Sequence, residues 1–151
     1  MSAQTSYDIN QPVAYAGQVY ALSPCDIVSR SVETVAGMAF GIAVSRGTDP
    51  DEQAVIGGAD YLGISIRSLE REGAANTGAV QYDETETAGI MRFGYVWAVC
   101  PAGATPGDAV KYTTATGVLD SGAPGAGEAA ITGATWDTVT AAGELGVIRV
   151  A

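Results

Sequence analysis

Hydrophobic and polar positions alternate along this chain and rarely recur at helical spacing. The longest alternating run is Ile90 to Cys100. Met91, Phe93, Tyr95, Trp97 and Val99 fall on one face, and Ile90, Arg92, Gly94, Val96, Ala98 and Cys100 on the other. Three aromatics at period two suit a pleated strand. Pro101 ends the run, because proline cannot donate to a ladder. Thr105-Pro106-Gly107-Asp108 has the proline and glycine of a type II turn. A second strand, Ala109 to Tyr112, follows, so the pattern predicts a central hairpin. The aromatic face is expected to fill the core. The alternative is that part of it, with Tyr15, Tyr20 or Trp136, stays exposed as a protein interface, where Tyr and Trp are enriched.

Shorter strands are predicted at Phe40–Val44, Ala54–Ile56, Tyr61–Arg67 (Leu62, Ile64 and Ile66 inward), Val118–Leu119, Ile131–Trp136 and Leu145–Val150. Leu69–Glu72 reads as loop or a single helical turn. No run of ten or more residues combines helical spacing with capping signals. Many short strands between Gly/Pro turns indicate an all-β fold, a small β-barrel or jelly-roll-like sandwich. Residues 1–33 differ in texture: Ser2–Gln11 is polar, Pro12 favours extended backbone, and Val13–Tyr20 lacks a single apolar face. The expected division is an extended N-terminal arm, 1–33, and a β-barrel or sandwich body, 34–151. The arm, with one or two short strands, lies on the body or on a partner, or forms a first strand that completes the sheet.

Composition then narrows the function classes. At 151 residues the chain is one domain and buries enough surface to need no disulfide or metal. Seventeen acidic residues against seven basic ones give a net charge of −10, and Lys111 is the sole lysine. Nucleic acid and anionic membrane are therefore not expected partners, since both demand clustered cations. No apolar run approaches 18 residues, and MSAQTSYDINQP has neither the basic nor the apolar region of a secretory signal. Cys25 and Cys100 read as reduced, buried thiols, with a bridge as the alternative. The absence of histidine removes Ser-His and Cys-His nucleophilic catalysis and imidazole zinc sites.

The remaining motifs are weak as sites. Gly122–Gly127 (GAPGAG) lacks the Gly-Lys-Ser/Thr ending and following helix of a phosphate loop, and reads as a hairpin connection. Asp49-Pro50-Asp51-Glu52 could attract a hard cation but has no calcium-loop spacing. Glu84 and Glu86 would share a face if extended, as paired carboxylates for acid/base work do. Bottom-up, the chain is a β-module without catalytic equipment, suited to binding or building.

The succession Gly41-Ile42-Ala43-Val44, Tyr61-Leu62-Gly63-Ile64-Ser65, Gly94-Tyr95-Val96-Trp97-Ala98-Val99, Pro106 to Tyr112 (PGDAVKY), Thr116-Gly117-Val118-Leu119 and Gly143 to Val150 (GELGVIRV) resembles the structural cement, or capsid decoration, proteins of tailed bacteriophages. The resemblance covers roughly Ala36 to Ala151, and the arm matches loosely. It implies a non-enzymatic virion protein with no catalytic residue, cofactor or metal. Such a protein forms a homodimer or homotrimer on the outer surface of the icosahedral head, bridging major capsid protein subunits against the pressure of packaged DNA. Extended arms can add to a neighbour's sheet edge, so Tyr7, Ile9, Pro12, Val13, Tyr15 and Tyr20 are the candidate capsid or oligomer contacts. Two other classes compete: a carbohydrate- or host-surface-binding β-module using Trp97 or Trp136 as a stacking platform, and a small hydrolase using Glu84 and Glu86.

Overall fold

The computed structural model describes residues 13–21, 23–68 and 80–151. Among the described residues there is no helix. The strands are β1 (Asp26–Val32), β2 (Met38–Ala39), β3 (Ala43–Arg46), β4 (Gln53–Ile56), β5 (Tyr61–Ser65), β6 (Gln81–Tyr82), β7 (Thr87–Cys100), β8 (Ala109–Thr113), β9 (Leu119–Ser121), β10 (Glu128–Trp136) and β11 (Glu144–Val150). Nine of them form one sheet in the order β1-β4-β3-β5-β7-β11-β10-β8-β9, while β2 and β6 pair separately. Because β1 also pairs with β7, the strands β1-β4-β3-β5-β7 close on themselves as a barrel. The fold is all-β, a small closed barrel with further strands.

The 14 residues of β7 serve two cores. Its first half contributes Ala88 and Ile90 to a cluster with Val32, Phe40, Val44, Leu62 and Tyr82, drawn from around the barrel. Its second half contributes Val96, Ala98 and Cys100 to a larger cluster with Val110, Tyr112, Leu119, Trp136, Ile148 and Val150. Beyond β7 the strands β11-β10-β8-β9 curl until β9 nears the end of β7. There Ala102 N–H donates to Asp120 Oδ1 (3.1 Å), Ser121 Oγ donates to Gly103 O (2.6 Å) and Trp136 Nε1 donates to Asp120 O (3.2 Å).

Backbone hydrogen bonds between turns clamp the two halves together. Ala43 N–H, at the start of β3, donates to Gly117 O (2.8 Å) and Gly58 N–H to Thr114 O (2.7 Å), while Gly57 N–H donates to Ala43 O (2.9 Å) within the barrel half. Both Gly57 and Gly117 have positive φ, and a Cβ at either would lie 2.3 Å from Thr114 O or 2.2 Å from Ala43 O. Only glycine lets the chains approach this closely.

Several sequence expectations need correction. The central pair is no hairpin: β7 is flanked by β11, β5 and β1, whereas β8 lies between β9 and β10. The Thr105–Asp108 turn forms as expected, with Gly107 at φ +96° and Asp108 N–H donating to Thr105 O (3.1 Å), but it redirects the chain across the sheet. GAPGAG likewise joins β9 to β10 on opposite sides of β8, so it is a crossing loop.

The aromatic face of β7 is not core. Phe93 is 47% exposed and Val99 is exposed, whereas Val96, Ala98 and Cys100 are fully buried. Trp136, Tyr112, Leu119 and Ile148 already fill that interior, leaving room from β7 only for small or branched side chains. The pairing of β1 with β7 also shifts register between Asp26 and Ile27, which sets Arg92 out of the ladder and buries Met91 next to Ile90. On β5, Leu62 and Ile64 are inside as expected, but Gly63 and Ser65 are buried as well. Ser65 Oγ is satisfied by donating to Ala39 O (2.7 Å) and accepting from Ile42 N–H (3.2 Å). Both cysteines are free, and Cys25 is exposed, not buried. Within the stretch 1–33, the segment Asp26–Val32 is the strand β1, paired with β7 from Asp26 to Ser31 and with β4 at Ser31 and Val32.

Candidate functional site

The chain ahead of β1 lies along the outer edge of β7. Gly17 N–H donates to Trp97 O (2.7 Å), Trp97 N–H to Gln18 O (2.9 Å) and Tyr20 N–H to Tyr95 O (3.0 Å). Val19 bridges Val96 in antiparallel sense. The turn that starts this contact is closed by Gln18 N–H donating to Tyr15 O (3.1 Å), while Tyr15 N–H donates to Gln18 Oε1 (3.1 Å). Gly17 sits at φ +79°, where a Cβ would lie 2.8 Å from both Arg67 N and Phe40 Cβ. The turn therefore requires glycine. Arg67 N–H donates to Gly17 O (2.7 Å), and its guanidinium stacks 4.5 Å over the Tyr15 ring.

This docking lays aromatic side chains side by side. Tyr20 meets Trp97 edge-on at 5.5 Å between centroids and tilts against Tyr95 at 6.3 Å. Tyr15, Tyr20 and Phe93 are exposed, while Tyr95 and Trp97 are half-buried. The row ends in an open groove of about 700 Å³ lined by Val13, Ala14, Trp97, Val139, Glu144 and Leu145 among others. Val13 is 92% exposed and Val139 is 79% exposed. Branched apolar side chains so fully in water, beside half-exposed aromatics, are what a protein contact surface presents.

Of the six candidate contact residues, Tyr7, Ile9 and Pro12 lie outside the described residues. Val13 lines the groove and Tyr20 packs against Trp97 at its edge, while Tyr15 stacks under Arg67 at the neighbouring turn. Val139, Glu144 and Leu145 were not anticipated. Val139 lies in the loop between β10 and β11, and periodicity cannot place a loop residue beside a chain segment more than a hundred positions away. Of the two tryptophans considered as sugar platforms, Trp136 is wholly buried and Trp97 has Tyr20 packed edge-on against it.

The acidic motifs have local roles. Glu86 Oε2 accepts from Asp83 N–H (2.7 Å), closing a turn in which Thr85 takes φ +68°. Gln53 Oε1 accepts from Asp49 N–H (3.0 Å) in the Asp49–Glu52 loop. Among the described residues, no three acidic or cysteine side chains converge as metal ligands. In the crossing loop, Glu128 Oε2 accepts from Gly125 N–H (2.7 Å) and from Lys111 Nζ (3.0 Å). These bonds hold the Glu128 carboxyl below its ordinary pKa, the Gly125 amide contributing most. Hydrogen bonds from Thr48, its hydroxyl foremost, do the same for Glu33. Burial pushes the Cys100 thiol up, and burial beside Tyr112 pushes the Tyr61 phenol well above its usual value.

Comparison with known proteins adds a family and a fold relative. Residues 3–151 match the family model described as structural cement protein (E217 gp24/Pam3 gp6). Among solved structures, a chain of the capsid of Myoviridae phage XM1 superposes with a TM-score of 0.73 at 19% identity, covering 99% of this chain and 98% of that one. At that identity the superposition speaks to fold alone. No curated protein matches the sequence.

Proposed function

Because the chain belongs to the structural cement protein family, with a structural role in the phage capsid, we propose that it binds the outside of the assembled head, bridges neighbouring major capsid subunits and holds the shell against internal DNA pressure. The observation that carries this reading is the exposed aromatic surface built by residues 13–20 and the outer face of β7. In this reading Val13, Tyr15 and Tyr20 contact the shell, together with Tyr7, Ile9 and Pro12 of the preceding segment, and the protein acts as a homodimer or homotrimer. A contact that is weak per copy becomes strong when several are linked and repeated across a lattice. Binding the assembled shell and not free subunits stabilises assembly by mass action. The net charge of −10 would keep coated particles apart.

The test is co-sedimentation of the purified protein with empty mature heads and with proheads of the same phage. Saturable binding at a fixed ratio to capsid subunits, strongest on mature heads, is the expected result. Absence of binding to either shell would sink the reading. Deleting residues 2–14 should weaken binding at least tenfold, and unchanged affinity would remove the arm from the interface.

A further inference from the structure

We propose that the groove at the outer end of β7 receives an apolar segment of a shell subunit that carries a lysine or arginine beside its apolar side chains. This rests on the capsid-binding reading above and names the surface and the chemistry of its partner.

The groove combines two features. It is lined by half-buried Trp97 and Leu145 and by Val13 and Val139, two of the most exposed large apolar side chains among the described residues. Water is a poor neighbour for both valines, so an apolar occupant is favoured. The polar feature is acidic. Glu144 lines the groove and Asp137 precedes the lining Thr138, while among the described residues no lysine or arginine lines it. Lys111 and Arg46 are engaged with Glu128 and Asp60, and among the described residues Glu144 has no ion-pair partner.

A second copy of this chain is a poor occupant. Groove against groove, it would set Glu144 of one copy near Glu144 of the other, and like charges brought together oppose association; an oligomer of this chain would use another face. A segment with a cation at the Glu144 end satisfies both features. The groove is also continuous, through Trp97, with the exposed ring of Tyr20, so the occupant has apolar surface to follow beyond it.

Head binding by variants separates this inference from the reading beneath it. Val139→Asp alters a solvent-exposed loop side chain, so the fold tolerates it, and binding should fall at least about tenfold. Val35→Asp, at an equally exposed valine away from the groove, should bind within about twofold of the unchanged protein. Glu144→Gln should bind about two- to fivefold more weakly and lose part of its salt dependence, and Glu144→Lys should lose more. Normal binding by Val139→Asp, equal losses in Val139→Asp and Val35→Asp, or undiminished binding by Glu144→Lys would each overturn the inference while leaving capsid binding intact. A Val139→Asp defect that vanishes when residues 2–12 are also deleted would make the chain's own N-terminal segment the occupant. A Val139→Asp change in oligomeric state by sedimentation velocity would make it a second copy. Failure of the unchanged protein to bind heads would remove both proposals.

Discussion

Volume supplied from across the core decides which of two alternating faces turns inward. On β7 the face with Phe93, Tyr95 and Trp97 looks the better core by residue type. It is outside because Trp136, Tyr112 and Leu119 occupy the interior and only Val96, Ala98 and Cys100 fit beside them. The alternation was legible in the sequence; the sign of the face was not, since it depends on residues of other strands. Trp136→Ala should therefore cost about 3–5 kcal/mol in urea unfolding, whereas Phe93→Ala should stay within about 0.5 kcal/mol of the unchanged protein. The cysteines divide in the same way. Cys25 is exposed, and Cys100 is buried with its pKa raised, so less of it is thiolate at any given pH. A thiol reagent at pH 8 should label one cysteine rapidly, and the second only on unfolding. Equal rates in the folded protein would contradict the placement of Cys100.

At the scale of elements, most strands could be read from alternation and turn residues, and β5, β7, β8, β10 and β11 appear close to where the pattern puts them. Their partners could not be read. Strand pairing between β7 and β11, or β8 and β10, depends on where glycine-rich loops cross, and a turn signal such as Pro106-Gly107 gives local geometry without direction. A strand within residues 1–33 could be foreseen, but the bounds of β1 were not legible because Asp26–Val32 alternates weakly and most of it is half-exposed or exposed. The clamp between the β4–β5 and β8–β9 turns is equally invisible in sequence, where Gly57 and Gly117 are ordinary turn glycines. Gly117→Ala would strain a positive φ and force a methyl toward Ala43 O. It should destabilise the protein by at least about 1–3 kcal/mol, measured by chemical denaturation, while Gly122→Ala, with open space around its Cβ position, should cost less. Equal losses would mean that the turn-to-turn contact carries no weight.

For the whole molecule, two opposed effects govern the response to acid. The net charge of −10 destabilises the compact state through self-repulsion, and protonating carboxylates relieves it. Glu33 and Glu128 act the other way. Each has a folded pKa below the ordinary 4.5 because it accepts hydrogen bonds that form only in the folded chain. Their contributions are fully present above the unfolded pKa and are lost as pH falls through the lowered folded value. The bulk charge effect is shared by a variant and its parent, so a difference measurement isolates the local one. Glu128→Gln keeps the side-chain shape but loses the charge that Gly125 N–H and Lys111 Nζ address. It should be less stable than its parent by a constant amount from pH 7 down to about pH 5. Below the ordinary carboxyl pKa the gap should narrow, because the parent's own Glu128 becomes neutral. Urea unfolding at pH 7, 5 and 3 measures this directly. A gap as wide at pH 3 as at pH 7 would mean that neutral hydrogen bonding or packing, and not the carboxylate charge, holds the loop between β9 and β10 in place.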